Sequence, residues 1–119
     1  MSKTGSHQID VTVEIETAAG PRALTADDTG KVFSNEGAAG LVGFTLPEPT
    51  AGMHFSFIVQ NANGIQIDAA GGDSVSIAGS VGVTISAVVV GNTVDLVAIN
   101  ATDWVALSNV GTWTVTPGG

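Results

Sequence analysis

Turn-forming residues interrupt this chain so often that little longer than a short strand fits between them. The breaks fall at Gly20-Pro21, Thr29-Gly30, Asn35–Gly40, Pro47-Glu48-Pro49, Asn61–Gly64, Gly71-Gly72-Asp73, Gly91-Asn92, Asn100–Asp103 and Asn109–Gly111. Glycine and asparagine accept positive φ and proline cannot donate to a ladder, so each break ends the element before it. The segments between them are rich in Val, Ile, Thr and Phe. Short β-prone runs with turn signals roughly every 8–12 residues form the pattern of an all-β sandwich or barrel. Composition agrees: 16 glycines and only 12% charged residues leave few of the Leu, Glu and Lys that a helical domain needs.

The cleanest period-2 run sets His7, Ile9, Val11, Val13 and Ile15 against Gln8, Asp10, Thr12, Glu14 and Glu16, a strand with one apolar and one acidic face. Thr25-Ala26-Asp27-Asp28 suits one capped helical turn, ended at once by Thr29-Gly30. Met53, Phe55, Phe57 and Val59 alternate with polar neighbours and mark the centre of the core. The Asn-Gly pair in Asn61–Gly64 predicts a hairpin, with residues 64–68 folding back onto that strand. No period repeats strictly, which argues against a solenoid. The expectation is an all-β fold: a small antiparallel β-sandwich or barrel, jelly-roll-like, of about 8–10 short strands. Residues 1–22 form an N-terminal arm and strand, and residues 23–119 the body. Sheet edges are normally defended by Lys or Pro; with Lys nearly absent, closure or pairing with further copies is the remaining defence, so a homo-oligomer is expected.

Several function classes are disfavoured by the inventory. There is no cysteine, hence no disulfide, thiol catalysis or thiolate metal site. Lys3, Arg22 and Lys31 are set against 11 acids, for a net charge of −8. Three cations neutralise too few phosphates for nucleic-acid binding, and the same deficit argues against an anionic membrane surface. No apolar run outlasts the length of Ala87–Val90, far short of a membrane helix. The N-terminal residues carry no apolar signal region, so the expectation is synthesis in a cytoplasm.

The chemistry-bearing residues are sparse. His7 and His54 have no accompanying nucleophile elbow, and His54 reads as a strand residue. Glu14 and Glu16 have a spacing near that of paired glycosidase carboxylates, but they read as the acidic solvent face of an edge strand, which explains the spacing with no cleft. Asp68 and Asp73 flank a glycine turn without the denser acidic pattern of a calcium loop. Asp27-Asp28, with Asp10, reads as a solvated acidic face. Trp104 and Trp113 read as core or interface anchors, with stacking on a sugar as the alternative. No catalytic residue, cofactor or metal ligand is expected.

The order of several short motifs resembles a module of tailed-bacteriophage structural proteins. They are Leu24–Phe33 (LTADDTGKVF), Phe44–Pro47 (FTLP), Gly52–Val59 (GMHFSFIV), Val90–Ala98 (VGNTVDLVA), Asp103-Trp104 and the closing Gly111–Trp113 (GTW). The resemblance spans about four-fifths of the chain, residues 22–115. It implies a small, non-enzymatic virion β-domain of the kind found in head decoration (cement) proteins, head fibres and tail-fibre appendages. The chain has no room for a fibre stalk, and its short arm suits a clamp. The expectation is therefore a capsid decoration protein on the outer capsid surface, a homotrimer whose partner is the major capsid protein. A head-fibre or tail-fibre appendage contacting the host surface is the alternative. The partner-binding residues expected are Ile9, Val11, Val13 and Ile15, together with Trp104 and Trp113.

Overall fold

The computed structural model describes residues 11–118. The described chain is nearly all β, with twelve strands in two sheets packed face to face. In chain order they are β1 (Val13–Ile15), β2 (Arg22–Ala23), β3 (Val32–Ser34), β4 (Val42–Thr45), β5 (His54–Ile58) and β6 (Ile65–Asp68). These are followed by β7 (Ser74–Ile77), β8 (Ser80–Gly82), β9 (Thr84–Ala87), β10 (Thr93–Ala98), β11 (Asp103–Val110) and β12 (Thr114–Thr116). The larger sheet runs β1-β3-β5-β10-β11-β7-β8, and the smaller runs β12-β9-β6-β4-β2. Between β2 and β3 lies the expected single helical turn, Ala26–Asp28, where the Asp28 carboxylate accepts the Thr25 N–H at 3.0 Å.

The all-β sandwich agrees with expectation, but its sheets are mixed rather than antiparallel. From β1 to β6 the chain alternates between the two sheets, and each strand pairs in parallel with the one a full coil later. Val13 pairs with Val32 and Val32 with Ser56; Arg22 pairs with Phe44 and Phe44 with Ile67. Three coils, roughly twenty residues apart, make a short solenoid-like stack, contrary to the expectation from the missing strict repeat. The remaining strands, β7 to β12, pair mostly antiparallel and complete the two sheets, with β11 and β7 pairing in parallel.

The Asn61–Gly64 turn shows why the predicted hairpin does not form. β5 and β6 lie in different sheets, so this segment is an arch across the sandwich. Asn35, fully buried in the preceding coil, supplies the partners that a hairpin strand otherwise would. Its Oδ1 accepts the N–H groups of Gln60 (2.7 Å) and Asn61 (2.9 Å), and its Nδ2 donates to the carbonyls of Asn61 (3.0 Å) and Gly64 (3.1 Å). One buried amide thus meets four main-chain groups, which such an arch must satisfy somewhere.

Between the sheets, Phe33, Phe44, Phe55 and Phe57 meet with ring centroids 5.2–6.4 Å apart, and Trp104 continues the row at 5.5 Å from Phe55. Met53, Phe55, Phe57 and Val59 do lie at its heart, the three larger-buried members wholly enclosed and Met53 packed against them. The sandwich is closed on one long side, where β8 runs into β9 and Val83 donates to Thr116. A side chain at Gly82 would collide there with the Thr116 carbonyl. The other long side ends in β1 and β2.

Candidate interaction surface

The first coil differs from the two that follow in what it places between the sheets. The parallel register puts Glu14 in line with Phe33 and Phe57, and Arg22 in line with Phe44 and Ile67. In-register neighbours point to the same side of a sheet, so Glu14 and Arg22 occupy the positions that are aromatic or aliphatic in the next coils. Their side chains meet at 2.5 Å, and the guanidinium lies over the Phe33 ring at 5.1 Å. An ion pair therefore closes the open end of the aromatic core.

The pair belongs to a network. Lys31 Nζ donates to Glu14 at 2.6 Å and to Asp28 at 2.8 Å, while Arg22 reaches Glu16 at 3.4 Å and Asp28 at 3.8 Å. The hydrogen bonds from Lys31 and then Arg22 hold the Glu14 carboxyl below its usual range. Burial works against the charge on Asp28, but the bonds from Lys31 and the Thr25 N–H outweigh it and lower that carboxyl too. This is opposite to the raised pKa that a catalytic acid requires. The acidic side of the N-terminal strand, expected to face solvent, is turned inward, where Glu14 and Glu16 meet Arg22 and Lys31. Glu14 and Glu16 are half-buried there and Asp28 is buried, whereas Asp27 is exposed; Asp10 lies outside the described residues.

Turning Glu14 and Glu16 inward turns the apolar side outward. Val11, Val13 and Ile15 are 58%, 59% and 55% exposed. The ladder to β3 uses the main chain of Thr12, Glu14 and Glu16, with Val32 donating to Thr12 and Glu16 donating to Ser34. The N–H and C=O groups of Val13 and Ile15 face the other way, where no further strand lies among the described residues. Ile9, expected on the same stripe, lies outside the described residues. The boundary expected at residue 22 falls inside the first coil, so β1 is an edge of the body's own sheet.

Trp104 and Trp113, expected among the partner-binding residues, are enclosed within the body of the chain. Trp104 is completely buried against Phe55, and Trp113, 6% exposed, donates its Nε1–H to Thr93 O at 2.9 Å. Both are core anchors, the first of the two readings their type allows. His54 is half-buried on the outer face of β5, its main chain bonded to Thr29 Oγ1; His7 lies outside the described residues. Asp68 accepts from Thr84 at 2.7 Å and Asp73 is buried; no cluster of metal-ligating side chains exists among the described residues. Asp95 accepts from Ser56 and Ser108, and Asp103 from Ser74 and Asn100. A shallow depression of about 140 Å³ lies against Pro21, Leu41, Gly43 and Gln66, well below the several hundred Å³ of a typical small-molecule site.

A second apolar patch was not anticipated. The β9–β10 connection exposes Val88, Val89 and Val90 in succession, with Val88 lying over Gly64. The sequence suggests a strand through Val90, but β9 ends at Ala87 and the chain crosses to the other sheet. No protein-family model matches the chain, and no curated protein is significantly similar to it.

Proposed function

We propose that this chain is a non-enzymatic virion structural protein, a capsid decoration protein that binds the outer head surface and bridges neighbouring capsid subunits. The observation that carries this reading is the β1 edge. Three apolar side chains are presented to solvent, beside a row of main-chain groups that no strand among the described residues pairs, on a segment held from behind by three ion-pair contacts of Glu14 and Glu16. A rigid edge of this kind suits strand addition, in which main-chain bonds give hold and alternate side chains give selectivity. The motif order described above supports the virion setting, and it implies copies assembled as trimers over junctions in the shell. Several attachments per oligomer raise the hold through effective concentration, so each contact can stay near the low end of stable interfaces.

The test is the copy number of this chain against the major capsid protein in purified particles. Near-stoichiometric occupancy is the expected result, and absence from the particle overturns the reading. The paired variant Val11→Asp/Val13→Asp should abolish binding to the shell while leaving the thermal unfolding transition in place, because both side chains already face water. Undiminished shell binding by that variant removes β1 as the attachment edge.

A further inference from the structure

We infer that the β1 edge takes an extended, basic segment whose side chains alternate between cationic and apolar residues. This rests on the reading of β1 as an attachment edge and specifies what occupies it.

A strand laid beside β1 places its side chains in line with those of β1, alternately on the two sides of the sheet. On the outer side its neighbours are Val13 and Ile15, both more than half exposed. On the inner side they are Glu14 and Glu16, which end the sandwich. Among the described residues, the three carboxylates Glu14, Glu16 and Asp28 share two cations, Arg22 and Lys31, leaving one negative charge in excess. The shortfall falls on Glu16. Its cation contact is Arg22 at 3.4 Å, whereas Glu14 holds two cations at 2.5 and 2.6 Å. A Lys or Arg on the inner side of an added strand meets that surplus, and a β-branched residue on either side of it covers Val13 and Ile15.

The same charges disfavour the other occupants. A second copy pairing through its own β1 sets Glu14 and Glu16 against their equivalents, in a chain of net charge −8. Like charges directly opposite on adjacent strands are destabilising. A neutral apolar strand covers the valines but leaves the surplus carboxylate facing it.

The experiment uses the full chain, isotopically labelled, and four synthetic peptides. One alternates Val and Lys, one Val and Gln, and one Val and Glu; the fourth has the Val-Lys composition in scrambled order. Amide shifts locate binding and a titration measures affinity. The Val-Lys peptide should shift the Val13 and Ile15 amides and bind about tenfold tighter than the Val-Gln peptide. The Val-Glu and scrambled peptides should bind more weakly still. Glu16→Gln should erase the preference for Lys over Gln while leaving the unfolding transition near its original position.

Equal affinity for the scrambled peptide, or shifts away from β1, overturns the inference. So does concentration-dependent self-association that the Val11→Asp/Val13→Asp variant removes. The two claims separate cleanly. If that variant abolishes shell binding but the peptides are not distinguished, the attachment edge stands and its basic occupant falls. If the Val-Lys peptide selects β1 but the chain is absent from particles, the decoration reading falls and the basic occupant stands.

Discussion

Replacing Asn35 with alanine tests the coiled path of the chain directly. The side chain is fully buried and makes four hydrogen bonds to the Gln60–Gly64 arch, at 2.7, 2.9, 3.0 and 3.1 Å. Each such bond contributes about 1 kcal/mol net, and a buried partner left unmade costs about 1–3 kcal/mol. Gln60 and Asn61 lie near the surface, so water recovers part of the loss on that side, whereas Gly64 is buried. The expected cost is therefore about 3 kcal/mol, a large share of the roughly 5–15 kcal/mol that holds a domain folded. The midpoint of thermal unfolding should fall by about 10 °C. Urea denaturation is the better assay, because the midpoint should drop with an unchanged slope if the native fold persists. Amide exchange at Gln60 and Asn61 in the arch should accelerate more than at Phe55 within β5. A loss below about 1 kcal/mol would refute the assignment of this amide as the staple of the arch. An Asn35→Leu variant as stable as the parent would refute it equally.

Two further outcomes follow from the geometry. Gly64→Ala should destabilise by more than about 2 kcal/mol, because φ is +92° and the new Cβ would lie 2.8 Å from the Ala87 carbonyl oxygen; Gly71→Ala, with open space around it, should stay within about 0.5 kcal/mol by the same urea titration. Acid should weaken the fold in a defined direction: Glu14, Asp28, Asp95 and Asp103 are all held below their usual pKa, so the unfolded chain takes up protons first. Their contribution is complete above about pH 4.5 and is lost as pH falls through the folded-state values, so stability measured from pH 6 down to 2 should decline, and less steeply in Glu14→Gln.

Turn chemistry and alternation by themselves determined the β class, the positions of most strands and the central strand of the core. Those signals are local: a glycine that needs positive φ or a Phe-x-Phe pair acts through its nearest neighbours on the chain. Even the capped turn at Ala26–Asp28 is legible because Thr25 and Asp28 are three residues apart. What only the tertiary structure decided is which strands became neighbours and which face of each was covered. Asn-Gly at 63–64 reads as a hairpin until Asn35, distant in sequence, takes the hydrogen bonds of the arch. The coils leave no visible repeat because the same interior positions hold Glu14 and Arg22 in the first and phenylalanines in the next. The alternation of β1 likewise locates two faces without saying which is inside. Apolar residues ordinarily win that competition, but β1 closes an end of the core where Arg22 and Lys31 gather. Glu14 and Asp28 meet those cations, and Val13 and Ile15 are left exposed on the other side.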